Sequence, residues 1–135
     1  MKAVDTNVLA RFFVDDPDDP EAARQRPRAT RVMSGEVFVS TTVLLEFEWV
    51  LRGFYERSAG EIGAVLAALC GLENVTLEDR DSVLSALDWH GRGFDLADAL
   101  HLASSARCEA FVTFDKALAK RAAAARAAPR VELER

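Results

Sequence analysis

Four acidic residues spread along the chain have the type of side chain that binds hard divalent cations. They are Asp5, Glu46, Asp98 and Asp115. Like charges about 4 Å apart repel each other by roughly 4 kcal/mol at an effective dielectric of 20, so carboxylates that converge in one cleft need a cation between them. Mg²⁺ prefers oxygen ligands of this kind. The sequence therefore predicts metal-dependent chemistry, of the type used to hydrolyse phosphodiesters, if the fold brings these acids together.

Asp5 and Asp115 each follow a short apolar run and precede a helical stretch. In open α/β sheets the ligand crevice lies at the carboxyl ends of the strands, which favours both positions as site residues. The alternative is that each aspartate is only the N-cap of its helix, since Asp is a preferred cap residue. Thr113 brings a hydroxyl to the same edge, where it can orient a carboxylate or a metal-bound water.

Asp95 and Asp98 are three residues apart at the start of a predicted helix, so they share one face of its first turn. We predict that Asp95 is the N-cap, and a structural role suffices for it. Asp98 lies off the apolar stripe of this helix and near its positive end, where carboxylates are stabilised. The stripe consists of Leu96, Ala99, Leu100 and Ala103.

Glu46 and Glu48 lie on the same strongly apolar helix, and the sequence pattern distinguishes them. The helical neighbours of Glu46 are Thr42, Val43, Trp49 and Val50. Glu48 precedes Arg52 by four residues, the spacing of a surface ion pair. We therefore expect Glu46 to be partly buried and Glu48 to be exposed. A buried glutamate needs a partner, which is either a metal ion or an arginine distant in sequence.

Short β-type runs alternate with longer helical stretches. Strands are predicted at 3–5, 37–40, 75–77 and 110–113, with an edge strand at 131–133. Helices are predicted at 7–14, 20–33, 41–55, 58–69, 94–106 and 116–127, and another ends near Gly91; Pro27 should kink or interrupt the second one. The alternation predicts one α/β domain over residues 1–135, with a central parallel sheet of four to five strands flanked by helices on both faces.

Composition excludes several classes of protein. No apolar run approaches the ~18 residues that a membrane span needs, and the N-terminus lacks the apolar core of a signal peptide, which indicates a cytoplasmic protein. Cys70 and Cys108 have no CxxC spacing. Neither GxGxxG nor a P-loop is present, so nucleotide-dependent kinases and dehydrogenases lose support.

The net charge of −5 is unusual for a nucleic-acid-binding protein, which normally carries a basic footprint. Part of that charge comes from the candidate site, where bound metal would neutralise it. The basic residues are also concentrated in the stretches 24–31 and 116–126. Each stretch is either a phosphate-contacting strip or a solvated helix face.

Four segments together resemble PIN domains, and specifically VapC-type toxin ribonucleases of bacterial toxin–antitoxin pairs. The segments are VDTNVL at 4–9, STTVLLE at 40–46, FDLADAL at 94–100 and VTFD at 112–115. Their order and spacing agree over nearly the whole chain. The resemblance implies that Asp5, Glu46, Asp98 and Asp115 are catalytic residues that hold Mg²⁺ or Mn²⁺, with Asp115 the least direct ligand. Supporting roles are implied for Asn7, Thr113 and Asp95.

The resemblance also implies an activity and partners. The activity would be metal-dependent endoribonuclease cleavage of RNA that leaves a 5′-phosphate and a 3′-hydroxyl. The partners would be a VapB-like antitoxin that occludes the site and a second copy in a homodimer, with the apolar helix over 43–54 as a candidate contact surface. Two other classes stay open at this point: a non-catalytic PIN-like RNA-binding or adaptor protein, and another metal-dependent phosphoesterase or DNA nuclease.

Overall fold

Seven helices alternate with five short strands along the chain. The computed structural model describes residues 1–135. The strands are β1 Lys2–Ala3, β2 Val37–Val39, β3 Val75–Leu77, β4 Ala110–Thr113 and β5 Arg130–Leu133. The helices are α1 Thr6–Phe13, α2 Pro20–Met33, α3 Thr41–Gly53, α4 Ala59–Cys70, α5 Arg80–Gly91, α6 Leu96–Ala103 and α7 Lys116–Ala125. Every predicted element is present, and none of the helices has both the length and the apolar character needed to cross a membrane.

The strands are divided between two sheets, one in each of two compact units, Met1–Arg80 and Asp81–Arg135. The prediction of one central sheet of four to five strands was wrong: the larger sheet has three strands and the other has two. All the pairings are parallel, as predicted. Strand pairing joins residues far apart in sequence, so the alternation of elements predicts the parallel direction but does not determine which strands are neighbours.

In the first unit the sheet order is β1-β2-β3, with β2 in the centre. Val37 and Val39 of β2 are buried and point to the same face, because side chains alternate along a strand. Helix α1 packs against both α2 and α3, and α3 also packs against α4. These contacts hold the N-terminus of α1, which follows β1, beside the middle of α3.

In the second unit β4 and β5 pair in parallel over four residues, and α7 is the crossover helix between them. Helix α7 packs against both strands. It ends at Arg126, which adopts the left-handed conformation at φ 53° and donates its backbone N–H to Ala122 and Ala123. This arrangement is a short βαβ unit, and its β4 strand leads directly into the Asp115 position.

Local signals at the helix starts are confirmed. Asp19 caps α2 and is followed by Pro20, and Ser58 and Glu61 form the predicted capping box of α4. Pro27 does not interrupt α2, which is continuous from Pro20 to Met33, so the expected interruption was wrong; the kink stays a prediction. One missing backbone N–H is a local loss. The buried side chains Ala22, Ala29 and Met33 lie on both sides of the proline and hold the two parts in place.

Candidate functional site

Asp5 lies between β1 and α1 and is the N-cap of that helix, as one of its two alternative roles predicted. Its Oδ1 atom accepts a hydrogen bond from the backbone N–H of Val8 at 3.2 Å. The preceding residue, Val4, is buried and donates its backbone N–H to Phe38 of β2 at 3.1 Å. The chain is therefore fixed on one side of Asp5 by the sheet and on the other by the helix. The carboxylate itself is exposed, with its second oxygen free to bind a ligand.

The Thr6 hydroxyl donates a hydrogen bond to Oε1 of Glu46. Thr6 is buried at the first position of α1, whereas Glu46 is on α3, forty residues along the chain. The bond brings the Glu46 carboxylate to the chain segment that carries Asp5. Thr6 is not among the site residues predicted from the sequence. The available signal was its position three and four residues before Leu9 and Ala10, which places the hydroxyl on the buried face of α1.

The predicted burial of the two glutamates on α3 was wrong in both cases. Glu46 is exposed, whereas the side chain of Glu48 is only 3% exposed and accepts a bond from Nε of Arg52 at 3.0 Å. The core face of α3 comprises Leu44, Phe47, Glu48 and Leu51, at the i, i+3, i+4, i+7 spacing. Trp49, a helical neighbour of Glu46, is 60% exposed, so an apolar residue beside Glu46 does not mean that this side of α3 is buried.

Asp95 and Asp98 behave as the sequence predicts. Asp95 is the N-cap of α6 and accepts the backbone N–H of Asp98 at 3.3 Å. The residues predicted for the apolar stripe are all buried, and Asp98 lies beside that stripe and is half-buried. The two carboxylates therefore lie close together on the first turn of the helix.

Several charges act on Asp98 within the second unit. Burial raises the pKa of the Asp98 carboxyl above its usual value, and the negative charges of Asp95 and Asp115 raise it further. His101 and Arg121 act in the opposite direction. The negative charge on Asp98 is therefore incompletely compensated by the protein, a condition that a bound cation would relieve.

Asp115 lies between β4 and α7 and is the N-cap of α7. Its Oδ1 accepts the backbone N–H of Leu118 at 3.0 Å. Its own backbone N–H donates to the Thr113 hydroxyl, also at 3.0 Å. Thr113 thus fixes the turn that carries Asp115, and contact of its hydroxyl with a carboxylate or a metal-bound water stays a prediction.

These side chains have the donor chemistry of a hard-cation site. All are carboxylates, and Asp5, Asp95 and Asp115 each use one oxygen as a helix cap and retain another. Neither unit contains a group of three or more His, Cys, Asp or Glu side chains arranged to hold a metal ion. These carboxylates therefore have the right chemistry to bind a divalent cation, but they are not arranged as a formed coordination site.

A profile of the PIN domain matches residues 2–124, which include every candidate site residue. The chain belongs to the PIN-domain family. PIN domains are a nuclease superfamily; they are generally hydrolases that act on nucleic acid, and their nucleases typically use divalent metals. No curated protein matches the chain.

In this PIN domain the candidate residues form two sets. The first, which we call the β1 acids, consists of Asp5 and Glu46 in the unit Met1–Arg80, with Thr6 bonded to Glu46. The second, which we call the α6–α7 acids, consists of Asp95, Asp98 and Asp115 in the unit Asp81–Arg135. Asn7 is exposed in the first turn of α1, two residues after Asp5.

Proposed function

We propose that this PIN domain is a Mg²⁺- or Mn²⁺-dependent endoribonuclease and the toxin of a toxin–antitoxin pair. The observation that carries most weight is the bond from Thr6 to Glu46. It gathers two predicted site acids, distant in sequence, at the carboxyl end of β1, where ligands of α/β sheets bind. Packing of the core does not require these two carboxylates. Metal binding, which is typical of the nuclease family to which the chain belongs, would give them a function.

We assign metal binding to Asp5, Glu46, Asp98 and Asp115. A divalent ion held by these carboxylates, in either unit, would supply Lewis acidity for activating water and for stabilising charge on the scissile phosphate. The Thr6 hydroxyl holds Oε1 of Glu46, and the second oxygen of this carboxylate would bind the ion. Thr113 fixes the backbone at Asp115.

Asp95 and Asn7 have supporting roles in this proposal. Asp95 caps α6 and contributes negative charge next to Asp98. Asn7 is exposed close to Asp5 and carries an amide that can donate to a phosphate oxygen of the substrate.

The proposal is tested by cleavage of a labelled RNA with purified protein in Mg²⁺ or Mn²⁺. Asp5→Asn is the informative variant, because asparagine keeps the N-cap of α1 but removes the charge. Glu73→Gln is the matched control, since it neutralises an exposed carboxylate outside both sets of acids. We expect cleavage by the wild type and the control, and none with chelator or Asp5→Asn.

Other outcomes select the competing classes. Cleavage that persists in Asp5→Asn would contradict the assignment of that residue. RNA binding without cleavage in either metal would favour a non-catalytic adaptor. Cleavage of DNA or of small phosphate esters in preference to RNA would favour another phosphoesterase.

The toxin role predicts two protein partners, a VapB-like antitoxin and a second copy of the chain. Co-expression with the product of the adjacent reading frame should yield a complex that no longer cuts RNA. The mass of the isolated protein in solution should correspond to a dimer. A monomer that no neighbouring gene product inhibits would contradict the toxin role and leave the nuclease activity unaffected.

A further inference from the structure

A groove of about 280 Å³ lies between α1 and α3 in the unit Met1–Arg80. We call it the aromatic groove. Its lining includes Asn7, Arg11, Asp19, Trp49, Phe54 and Tyr55. Pockets for drug-sized ligands start at about 300 Å³, so this groove is sized for a single flat ring system.

Aromatic rings line one side of the groove and are open to solvent. Trp49 is 60% exposed and Phe54 is 69% exposed. Tyr55 packs edge-on against Phe54, with ring centroids 4.8 Å apart. A Cβ atom at Gly53 would lie 3.9 Å from Cε2 of Trp49, so the indole lies along α3 towards that glycine. Stacking of bases on aromatic rings is the usual way in which proteins hold unpaired nucleotides.

Polar groups surround these rings and can bond to the edge of a base. Arg11 donates from Nε to Gln25 and from Nη1 to the Tyr55 hydroxyl at 3.1 Å, which uses two of its five N–H groups. Asp19 uses only Oδ1 for its helix cap. The amide of Asn7 adds a donor and an acceptor. Arginine, aspartate and asparagine are the side chains that commonly recognise base edges.

The groove is built on the same two helices as the β1 acids. Asn7 follows Asp5 by two residues in the first turn of α1. Trp49 follows Glu46 by three residues on α3, about 4.5 Å along the helix axis. A nucleotide whose base lies in the groove would therefore have its sugar and phosphate next to Asp5 and Glu46.

We propose that the aromatic groove binds one unpaired base of the substrate, which stacks on Trp49. That the bound base lies beside the reacting phosphate rests on the proposed nuclease function. That the groove binds a base rests only on the residues that line it. A protein partner suits the groove less well. A stable protein interface covers about 800 Å² on each side, and this groove is small, with a charge of each sign on its polar side.

The test uses the fluorescence of Trp49. The chain has two tryptophans, so Trp89→Phe leaves Trp49 as the only indole. Phenylalanine at position 89 also keeps a ring against Phe94, whose centroid lies 6.0 Å from that of Trp89. Single-stranded tetraribonucleotides of each base are added in chelator, so that no cleavage occurs. We expect saturable quenching by at least one of them and none by a blunt-ended RNA duplex, in which every base is paired.

Affinity is measured in parallel by fluorescence polarisation of labelled oligonucleotides. Trp49→Ala should weaken binding by roughly 5- to 150-fold, the loss that removal of one stacking ring causes. Trp49→Phe should retain most of the affinity. Leu84→Ala is the control, because Leu84 is 43% exposed on α5, outside the groove. Equal affinities for the wild type and Trp49→Ala would overturn the proposal.

The outcomes separate this inference from the nuclease proposal. Cleavage in metal without quenching would reject the base-binding site and leave the nuclease intact. Quenching without cleavage in either metal would retain the site and reject the nuclease. A change in Trp49 fluorescence that follows protein concentration and not RNA would show that a second copy covers the groove, which would also overturn the proposal.

Discussion

Replacement of Glu48 by alanine should destabilise this PIN domain without touching its chemistry. The side chain of Glu48 is 3% exposed and accepts three bonds from Arg52, at 3.0, 3.4 and 3.4 Å. Hydrogen bonds to charged groups contribute about 1.5–3 kcal/mol, and loss of one partner of a fully buried ion pair costs about 3–5 kcal/mol. Arg52 is 53% exposed, so water can take the place of the Glu48 carboxylate beside its guanidinium. We therefore expect a loss near the lower range, about 2–3 kcal/mol.

Thermal unfolding followed by circular dichroism measures this loss. Each kcal/mol shifts the Tm of a domain of this size by about 4 °C, so Glu48→Ala should lower the Tm by roughly 8–12 °C. Glu48→Met should lower it less, because methionine fills most of the same volume and leaves no buried polar group. RNA cleavage by Glu48→Ala, measured well below its Tm, should equal that of the wild type.

Glu46→Ala is the matched comparison on the same helix. Glu46 is exposed and its only bond is with the Thr6 hydroxyl, so its removal should lower the Tm by about 4 °C and abolish cleavage. The reasoning would be refuted if Glu48→Ala unfolded at the wild-type temperature. It would also be refuted if both variants lost activity equally while folded, because α3 would then not separate a structural glutamate from a functional one.

Three further predictions follow from the site geometry. Asp98→Asn should abolish cleavage but raise stability at neutral pH, since ionisation of a carboxyl with a raised pKa opposes folding. Denaturant unfolding measures the gain. This gain in stability should disappear as the pH falls from the raised pKa of Asp98 to the ordinary Asp value, because the wild-type carboxyl then becomes protonated. A gain that is unchanged at low pH would contradict this reasoning. Thr6→Val removes only the hydroxyl that orients Glu46, so it should weaken metal affinity and activity by about 10–100-fold. The free energy of unfolding should fall by at most about 1 kcal/mol. Calorimetric titration with Mn²⁺ measures the first effect and chemical unfolding measures the second.

The sequence predicted the elements well because their signals are local. A cap residue followed by an acid or a proline defines where a helix begins, as at Asp19 and Ser58, and needs no information from the rest of the chain. The N-cap roles of Asp5, Asp95 and Asp115 follow from the same local signals.

The features that were mispredicted depend on packing. Whether Glu46 or Glu48 faces the core depends on which side of α3 packs against α1 and α4, and both sides carry large apolar residues. The division of five strands between two sheets depends on pairings between distant segments. Pro27 stays within α2 because buried side chains on both sides of it outweigh one missing hydrogen bond.

The capping aspartates affect how related sequences can be interpreted. Asp5, Asp95 and Asp115 each begin a helix, so a descendant that had lost catalysis would still need a capping side chain at each position. Aspartate there is therefore weak proof of an active enzyme. Glu46 caps nothing, is exposed, and makes its hydrogen bond only with Thr6. Retention or loss of that one glutamate should distinguish working nucleases from inactive copies better than the three aspartates together.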